Sequence, residues 1–476
     1  MFVDRQKELA FLTHVLTRRR PGPAQLILLY GRRRVGKSHL LLHWAEQSGL
    51  PFTYWLAEKE PASLQRRKFF AKLQGVPIRG APLFDAWSEL WEMVATIVGD
   101  KRQILILDEL PYAAESDPAF LSALQHAWDQ YFQHTNVVIV LCGSQIRTME
   151  SLLFHQSPLF GRMTGQWHLH PLAFPLLTEF FPAWSTEELV ATYAIVGGIP
   201  AYLKWLDADL NLVENIRQII LNEGSLFLAE PTFLLQDEVR EPQSYLAILK
   251  AIGLGNHTLK EISNAALIAS THLSVHLKRL QELKIVERRL PATIPPSKRR
   301  NARTGRYHLS DPYFRFYFRF MAPFHDYLPF DPDKVLAKIK QELRAFVGQT
   351  TFEELARQWI QQQAANDQLP FQPDIVGQHW GRKVQLDVVA INWQARQILL
   401  GECKWQGDKI HRDVVRNLIE VRGPKLVTQL EGKWQTHYAF FSRSGFTPAA
   451  TETATNAKAI LVDLKRLAHE LLDPFK

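Results

Sequence analysis

Gly31-Arg32-Arg33-Arg34-Val35-Gly36-Lys37-Ser38 decides how this chain is read. The stretch fits the spacing G-x-x-x-x-G-K-[ST]. It follows the apolar run Leu26-Ile27-Leu28-Leu29-Tyr30 and precedes the helical pattern His39-Leu40-Leu41-Leu42-His43-Trp44. A loop that grips phosphate needs that order. Glycines let successive backbone N–H groups curl around an oxyanion, and a helix N-terminus adds positive potential. Gly31, Arg32, Arg33, Arg34, Val35, Gly36 and His39 are therefore the expected nucleotide cradle. Lys37 reaches the terminal phosphates of ATP and Ser38 ligates Mg²⁺. A glycine turn carrying a lysine with a buried stem is the plainer reading, and the strand–loop–helix setting argues against it.

A nucleotide cradle requires an acidic partner. Ile104-Leu105-Ile106-Leu107 reads as a buried strand and ends in Asp108-Glu109. Asp108 is expected in the Mg²⁺ shell, and Glu109 is expected to orient and deprotonate the attacking water. A further apolar run, Val137–Cys142, ends in Gly143-Ser144, where the Ser144 hydroxyl can sense the γ-phosphate. Phe52–Leu56 and a weaker run, Gln166–His170, complete the set. Short apolar runs separated by helical patterns predict an α/β architecture with a parallel sheet.

The chain has 476 residues, 46% hydrophobic and 22% charged, which is globular rather than disordered composition. That length suggests roughly three domains at about 150 residues each. No apolar run approaches a membrane span and the first residues show no signal core, so the sequence predicts a cytoplasmic protein without membrane segments. Two cysteines, Cys142 and Cys403, do not make a disulfide framework or a zinc site. The formal charge of +8 permits a nucleic-acid partner without requiring one. Pattern changes divide the chain into a nucleotide-binding core (1–170), a helical lid (171–235) broken by prolines including Pro200 and Pro231, a third part (236–325) and a C-terminal part (326–476).

With the opening Phe2-Val3-Asp4-Arg5-x-x-Glu8-Leu9, the run Tyr30–Ser38, Leu107-Asp108-Glu109 and Cys142-Gly143-Ser144, the chain resembles the archaeal-type P-loop ATPases of the AAA+/STAND group. Ser157–Arg162 and Gly197-Gly198-Ile199-Pro200-Ala201-Tyr202 extend the resemblance over nearly the whole length. It implies a five-stranded core followed by a helical lid. It also implies that Phe2, Arg5 and Pro200 lie beside the adenine, and that Arg162 is an arginine finger or sensor. An interface or surface role for Arg162 is the competing reading. The lid shows no second arginine at a recognisable sensor position.

In the third part, Leu273, Leu277, Leu280 and Leu283 form an apolar stripe along a helix, while Ser270, Thr271, Ser274 and Lys278 lie on its other face. A short helix at Leu259–Ile262 precedes it. Strand-like Ile285–Leu290 and Arg306–Leu309 flank a segment carrying Lys298, Arg299, Arg300, Arg303 and Arg306. This is the layout of a winged helix, whose second helix enters a major groove while wing cations meet DNA phosphates. The alternative is a packing module with a solvated charge run.

Near the C-terminus, Val384–Ala390 and Ile398–Lys404 read as two strands. Strand alternation sets Glu402 and Lys404 on one face, and hairpin pairing would set Asp387 beside Glu402. Two carboxylates can hold Mg²⁺, and Lys404 can position a water for attack on phosphate. Glu353, in the first turn of an upstream helix, is a candidate third ligand. The set Glu353, Asp387, Glu402, Lys404, with Phe440–Phe446, resembles the PD-(D/E)XK restriction-endonuclease-like fold, with Leu386 where proline is usual. The resemblance implies an α/β nuclease-like domain. The combined expectation is an ATP-hydrolysing, DNA-associated protein with a Mg²⁺-dependent nuclease site, open to self-assembly into a homo-oligomer. The alternative is a nucleotide-controlled switch or regulatory ATPase whose C-terminal domain only binds DNA or a partner.

Overall fold

The computed structural model describes residues 3–18, 22–236, 238–239 and 241–472. Strands β1 (Gln25–Tyr30), β2 (Phe52–Leu56), β3 (Ile104–Asp108), β4 (Val138–Gly143) and β5 (Gly165–His168) form a parallel sheet in the order β2-β3-β4-β1-β5. Parallel neighbours cannot be joined by a tight turn, so helices carry the crossovers and cover both faces. On one face Leu26, Leu28 and Tyr30 join a core with Trp87, Trp91 and Phe120. On the other, Ile27 and Leu29 meet Leu40, Leu41, Trp44 and Val140. Every position of β1, β3 and β4 is buried, which is why these runs lack polar alternation. The strand order sets β4 between β1 and β3, so the loops leaving their C-terminal ends share one rim.

The chain divides into two compact units, Met1–Pro171 with Ile199–Ala201, and Leu172–Gly198 with Tyr202–Lys476. The segments expected as lid, third part and C-terminal part thus fall in the second unit, apart from a three-residue return to the first.

The second unit begins with helices. Thr186–Val196 starts at a reciprocal cap between Ser185 and Glu188. Pro231 does not break the chain as expected but sits inside the helix Leu226–Gln236, where buried Phe227 and Leu235 anchor the segment against the missing backbone donor. Helix Leu259–Ala266 opens at a second reciprocal cap, Thr258 with Glu261. Helix Ser270–Glu282 buries Leu273, Leu277 and Leu280. Strands β6 (Val286–Arg289) and β7 (Arg306–Leu309) then pair antiparallel.

The mixed C-terminal sheet runs β12-β11-β10-β9-β8, built from β8 (Ile375–Trp380), β9 (Gln385–Asn392), β10 (Gln397–Lys404), β11 (Gln435–Ser442) and β12 (Ile460–Asp463). Strands β8, β9 and β10 pair antiparallel, while β10, β11 and β12 pair parallel. Helix Glu353–Ala365 packs on this sheet, with Leu355, Trp359 and Ile360 buried.

Candidate functional sites

The glycine loop leaves β1 and turns into the helix Lys37–Gln47. Gly36 is its N-cap at φ 96°, a conformation that costs glycine little and other residues strain. A Cβ on Gly31 would run into the Leu169 carbonyl, so that position also requires glycine. Lys37 is 5% exposed, and its Nζ donates to the carbonyls of Gly31 (3.0 Å) and Arg32 (3.1 Å). The ammonium is thereby folded onto its own loop through neutral partners. The next residue, Ser38, donates its hydroxyl to Asp108 Oδ2 at 2.5 Å, and Tyr54 Oη donates to the same oxygen at 2.7 Å. Burial, then the neighbouring Asp108 charge, pushes the Tyr54 phenol well above its ordinary value, so it stays a donor.

Glu109 occupies a left-handed turn at φ 50°, which brings its carboxylate across to the end of β4. There Oε2 accepts the Ser144 backbone N–H at 3.1 Å and hydroxyl at 2.8 Å. Lys37, Ser38, Asp108, Glu109 and Ser144 thus converge from three strand ends. Arg33 Nη2 donates to Tyr112 Oη at 2.6 Å. Arg5, also left-handed, is buried beside the loop and donates to Val35 O (3.1 Å) and His170 O (2.9 Å), with Glu8 at 3.1 Å. Its guanidinium ties backbone segments together. Pro200 stands against the loop, 3.9 Å from where a Cβ of Gly36 would be. Phe2 lies outside the described residues.

Arg162 is corrected by the geometry. It forms a paired ion contact with Asp129, Nε and Nη2 each at 2.7 Å, and donates to the Pro158 and Phe160 carbonyls. It precedes β5 by three residues, and β5 begins opposite Ile27 near the start of β1. The nucleotide loop follows the other end of β1, so Arg162 does not face the phosphates bound by its own chain.

The C-terminal carboxylates also come together. Gly401 pairs with Val388, so Asp387 and Glu402 are neighbours across the hairpin. Asp387 Oδ2 accepts the Cys403 N–H at 2.9 Å. Glu402, 4% exposed, is held by Lys404 Nζ and Arg422 Nη1, each at 2.7 Å. Glu353 faces Arg357 at 3.6 Å, and Arg357 Nη1 also donates to the Asp387 carbonyl at 2.9 Å. Burial and the Asp387 charge push the Glu353 carboxyl up to about 8. Burial and Glu402 raise Asp387 to about 6. Two acids held near neutrality by burial and mutual repulsion form an environment that an oxygen-liganded cation relieves. Among the described residues, however, no three His, Cys, Asp or Glu side chains already converge as a metal-holding set. Glu353, Asp387 and Glu402 are near one another but not arranged as the preformed triad that the sequence suggests.

Sequence reasoning missed Tyr54, Arg357 and Arg422. Arg357 had a signal, its i+4 spacing from Glu353. Tyr54 and Arg422 had none, because they arrive from a neighbouring strand and a distant helical turn.

On the basic module, Ser270, Thr271, Ser274 and Lys278 are exposed, as are Lys298, Arg300 and Arg303. The rest of the wing is engaged. Ala292 N–H donates to Gln378 O (2.8 Å), Thr293 Oγ1 bonds His379 Nδ1 (2.7 Å), and Trp380 Nε1 donates to Thr304 O (3.1 Å). Arg299 donates to Pro291 O, and Arg306 lies 5.1 Å over the Trp380 ring. The β6–β7 loop therefore docks on edge strand β8, and Arg299 and Arg306 are not freely extended cations as the charge run suggests.

Parallel sheet, glycine loop and acidic strand end together define a P-loop ATPase. The family described as an ATPase domain predominantly from Archaea matches residues 2–206. A second, DUF234, described as archaeal and bacterial proteins of unknown function, matches residues 317–415, which include Glu353, Asp387, Glu402 and Lys404. An uncharacterized protein of Methanocaldococcus jannaschii is 33% identical over 426 residues, covering 87% of this chain and 91% of its own. The chain belongs to the same family as that archaeal protein, with an archaeal-type ATPase domain followed by the second family's region. Among solved structures, a Walker-type ATPase of Pyrococcus abyssi is 19% identical, covering 67% of this chain and 96% of its own, with a TM-score of 0.44. The ORC2 protein of Aeropyrum pernix, solved as ADPNP–ADP complexes, is 16% identical, covering 71% and 95%, with a TM-score of 0.46. Among the described residues no helix is long and apolar enough to cross a membrane.

Proposed function

We propose that this ATPase is a DNA-associated, ATP-hydrolysing protein whose C-terminal region is a PD-(D/E)XK-like, Mg²⁺-dependent nuclease domain. The observation that carries the reading is the hairpin register that makes Asp387 and Glu402 neighbours, with Lys404 on Glu402 and Glu353 close enough to be perturbed by Asp387.

In the ATPase cycle, Lys37 exchanges its loop carbonyls for the β- and γ-phosphates, and the helix N-terminus at Gly36 faces their charge. Ser38 and Asp108, whose oxygens already converge, are the groups that would hold Mg²⁺, which neutralises charge developing on the phosphates. Glu109 takes the proton of the attacking water, and Ser144 fixes its carboxylate and is placed to report loss of the γ-phosphate. Arg5 and Pro200 wall the loop. In the C-terminal region, Asp387, Glu402 and Glu353 would hold Mg²⁺, and Lys404 orients water toward a phosphodiester. Residues 236–325 act as a winged helix, presenting Ser270, Thr271, Ser274 and Lys278 to a groove and Lys298, Arg300 and Arg303 to phosphates.

The test is plasmid nicking by the full chain with Mg²⁺, with and without ATP. Wild type is expected to nick, and Asp387→Ala to lose nicking while keeping ATPase activity; nicking unchanged by the substitution overturns the nuclease assignment. The regulatory-switch reading is favoured by a separate observation, the Arg422 clamp on Glu402 and the docked wing, which suit a domain that binds without cutting. No nicking by wild type, together with ATP-dependent DNA retention, selects that reading.

A further inference from the structure

Within the second unit lies a cavity of about 380 Å³, whose lining includes Arg289, Arg315, Arg319, His257, His308 and Gln378. Volumes of this order accommodate small molecules. Glu342 is the acid in the lining, and it is tied to Arg319 (2.7 Å) and Lys338. Behind the wall, Glu354 binds both terminal nitrogens of Arg315 at 2.9 Å and Arg289 Nη2 at 2.6 Å. The pairing orients the arginines but leaves Arg315 Nε buried without a hydrogen-bond partner among the described residues. His308 Nε2 is a second buried nitrogen without one. Its ring stacks on His257 at 4.4 Å, and His257 is itself fixed through Nδ1 to the Tyr307 carbonyl at 2.9 Å.

Buried polar nitrogens are rarely left without partners, and when two of them line one cavity the missing partner is an acceptor inside it. The acceptor is anionic. Burial and then the positive field of Arg289, with His257 and Arg315, drive His308 down to about 2, so the field in the cavity is not cancelled by its carboxylates.

We propose that this cavity is a binding site for a small phosphorylated anion, taken up by Arg315 Nε, His308 Nε2 and the outer arginine Arg319. Arginine suits phosphate because its planar fork and fixed charge match the oxyanion geometry. The site is separate from the nucleotide loop and from the Asp387–Glu402 hairpin. Occupancy would draw on the arginines that hold Glu354, the residue next to Glu353, so the ligand would bear on the position of the helix that carries both acids.

The test is calorimetry of the full chain carrying Lys37→Ala, which weakens the nucleotide loop as a competing phosphate site, titrated with pyrophosphate. In parallel, histidine-labelled protein reports the His308 ring by NMR. Saturable binding at one site that moves the His308 resonance is expected. Arg319→Gln should weaken it about tenfold, the worth of one charge-assisted hydrogen bond. His308→Phe, which keeps the ring and its stacking, should weaken it about fivefold with unchanged melting temperature. Absence of saturable binding overturns the proposal, as does binding that neither substitution weakens. A duplex oligonucleotide that moves His308 where pyrophosphate does not also overturns it, because a groove for polymer would then replace a pocket for a small anion.

Discussion

Compared side by side, the two acidic sites hold their charges differently. At the nucleotide loop, Lys37 rests on backbone carbonyls, Asp108 on two hydroxyls and Glu109 on a hydroxyl and a backbone N–H. Neutral partners of this kind are worth about 1 kcal/mol each and exchange readily for a charged ligand. At the C-terminal hairpin, Glu402 is clamped by two cations, and Asp387 and Glu353 are pushed toward the protonated form. A cation arriving there displaces ion pairs or protons before it binds. The lesson is that proximity of the right residues defines a candidate site, while the charge of their resting partners decides how much must be undone before it works.

The largest expected effect probes the first half of that contrast. Lys37→Ala should lower ATP turnover by at least about a thousandfold, since a positioned cation on the transferring phosphoryl group contributes on that scale. Phosphate release at the wild-type rate would mean the loop is not the ATPase site. Glu109→Gln should retain ATP binding yet slow turnover by about a hundredfold or more, the usual contribution of a general base. Loss of binding together with turnover would instead make Glu109 a structural strut between β3 and β4.

The smallest effect sharpens the second half. Burial alone would raise Glu354, but Arg315 and then Arg289 outweigh it and hold the carboxyl near 2. A depressed carboxyl contributes stability that is present above its unfolded value, about 4.3, and is lost as pH falls toward the folded one. Glu354→Gln should therefore lower stability by on the order of 2–3 kcal/mol at pH 7. The gap from wild type, followed by melting temperature against pH, should close as pH drops from about 4 to 2. A gap independent of pH would show that hydrogen bonding rather than charge holds the Arg289–Arg315–Glu354 network.

Much of this was legible in the residue order. Runs buried on both faces announce themselves by lacking polar alternation, and Phe52–Leu56 and Arg306–Leu309 have the observed bounds. The glycine loop is equally local, because the backbone shape it needs is encoded in neighbouring residues. Pro231 went the other way: a local rule for breaking helices yielded to burial of Phe227 and Leu235. Arg162 shows the same limit, because its motif carries no information about which end of the sheet it occupies. The wing arginines read as a free charge run until edge strand β8 accounts for Arg306, through Trp380.

By itself, then, the amino-acid order determined the parallel core, the nucleotide loop, the acidic strand end and the hairpin bearing Asp387 and Glu402. These depend on contacts among residues close in the chain or on the period of two along a strand. Only the tertiary structure decided that Tyr54 shares Asp108 with Ser38, that Arg422 closes on Glu402, and that Arg289, Arg315 and His308 line one cavity. Those groups are brought together by packing of distant segments, and a charge's partner and solvation, which set what it can do, exist only once that packing is made.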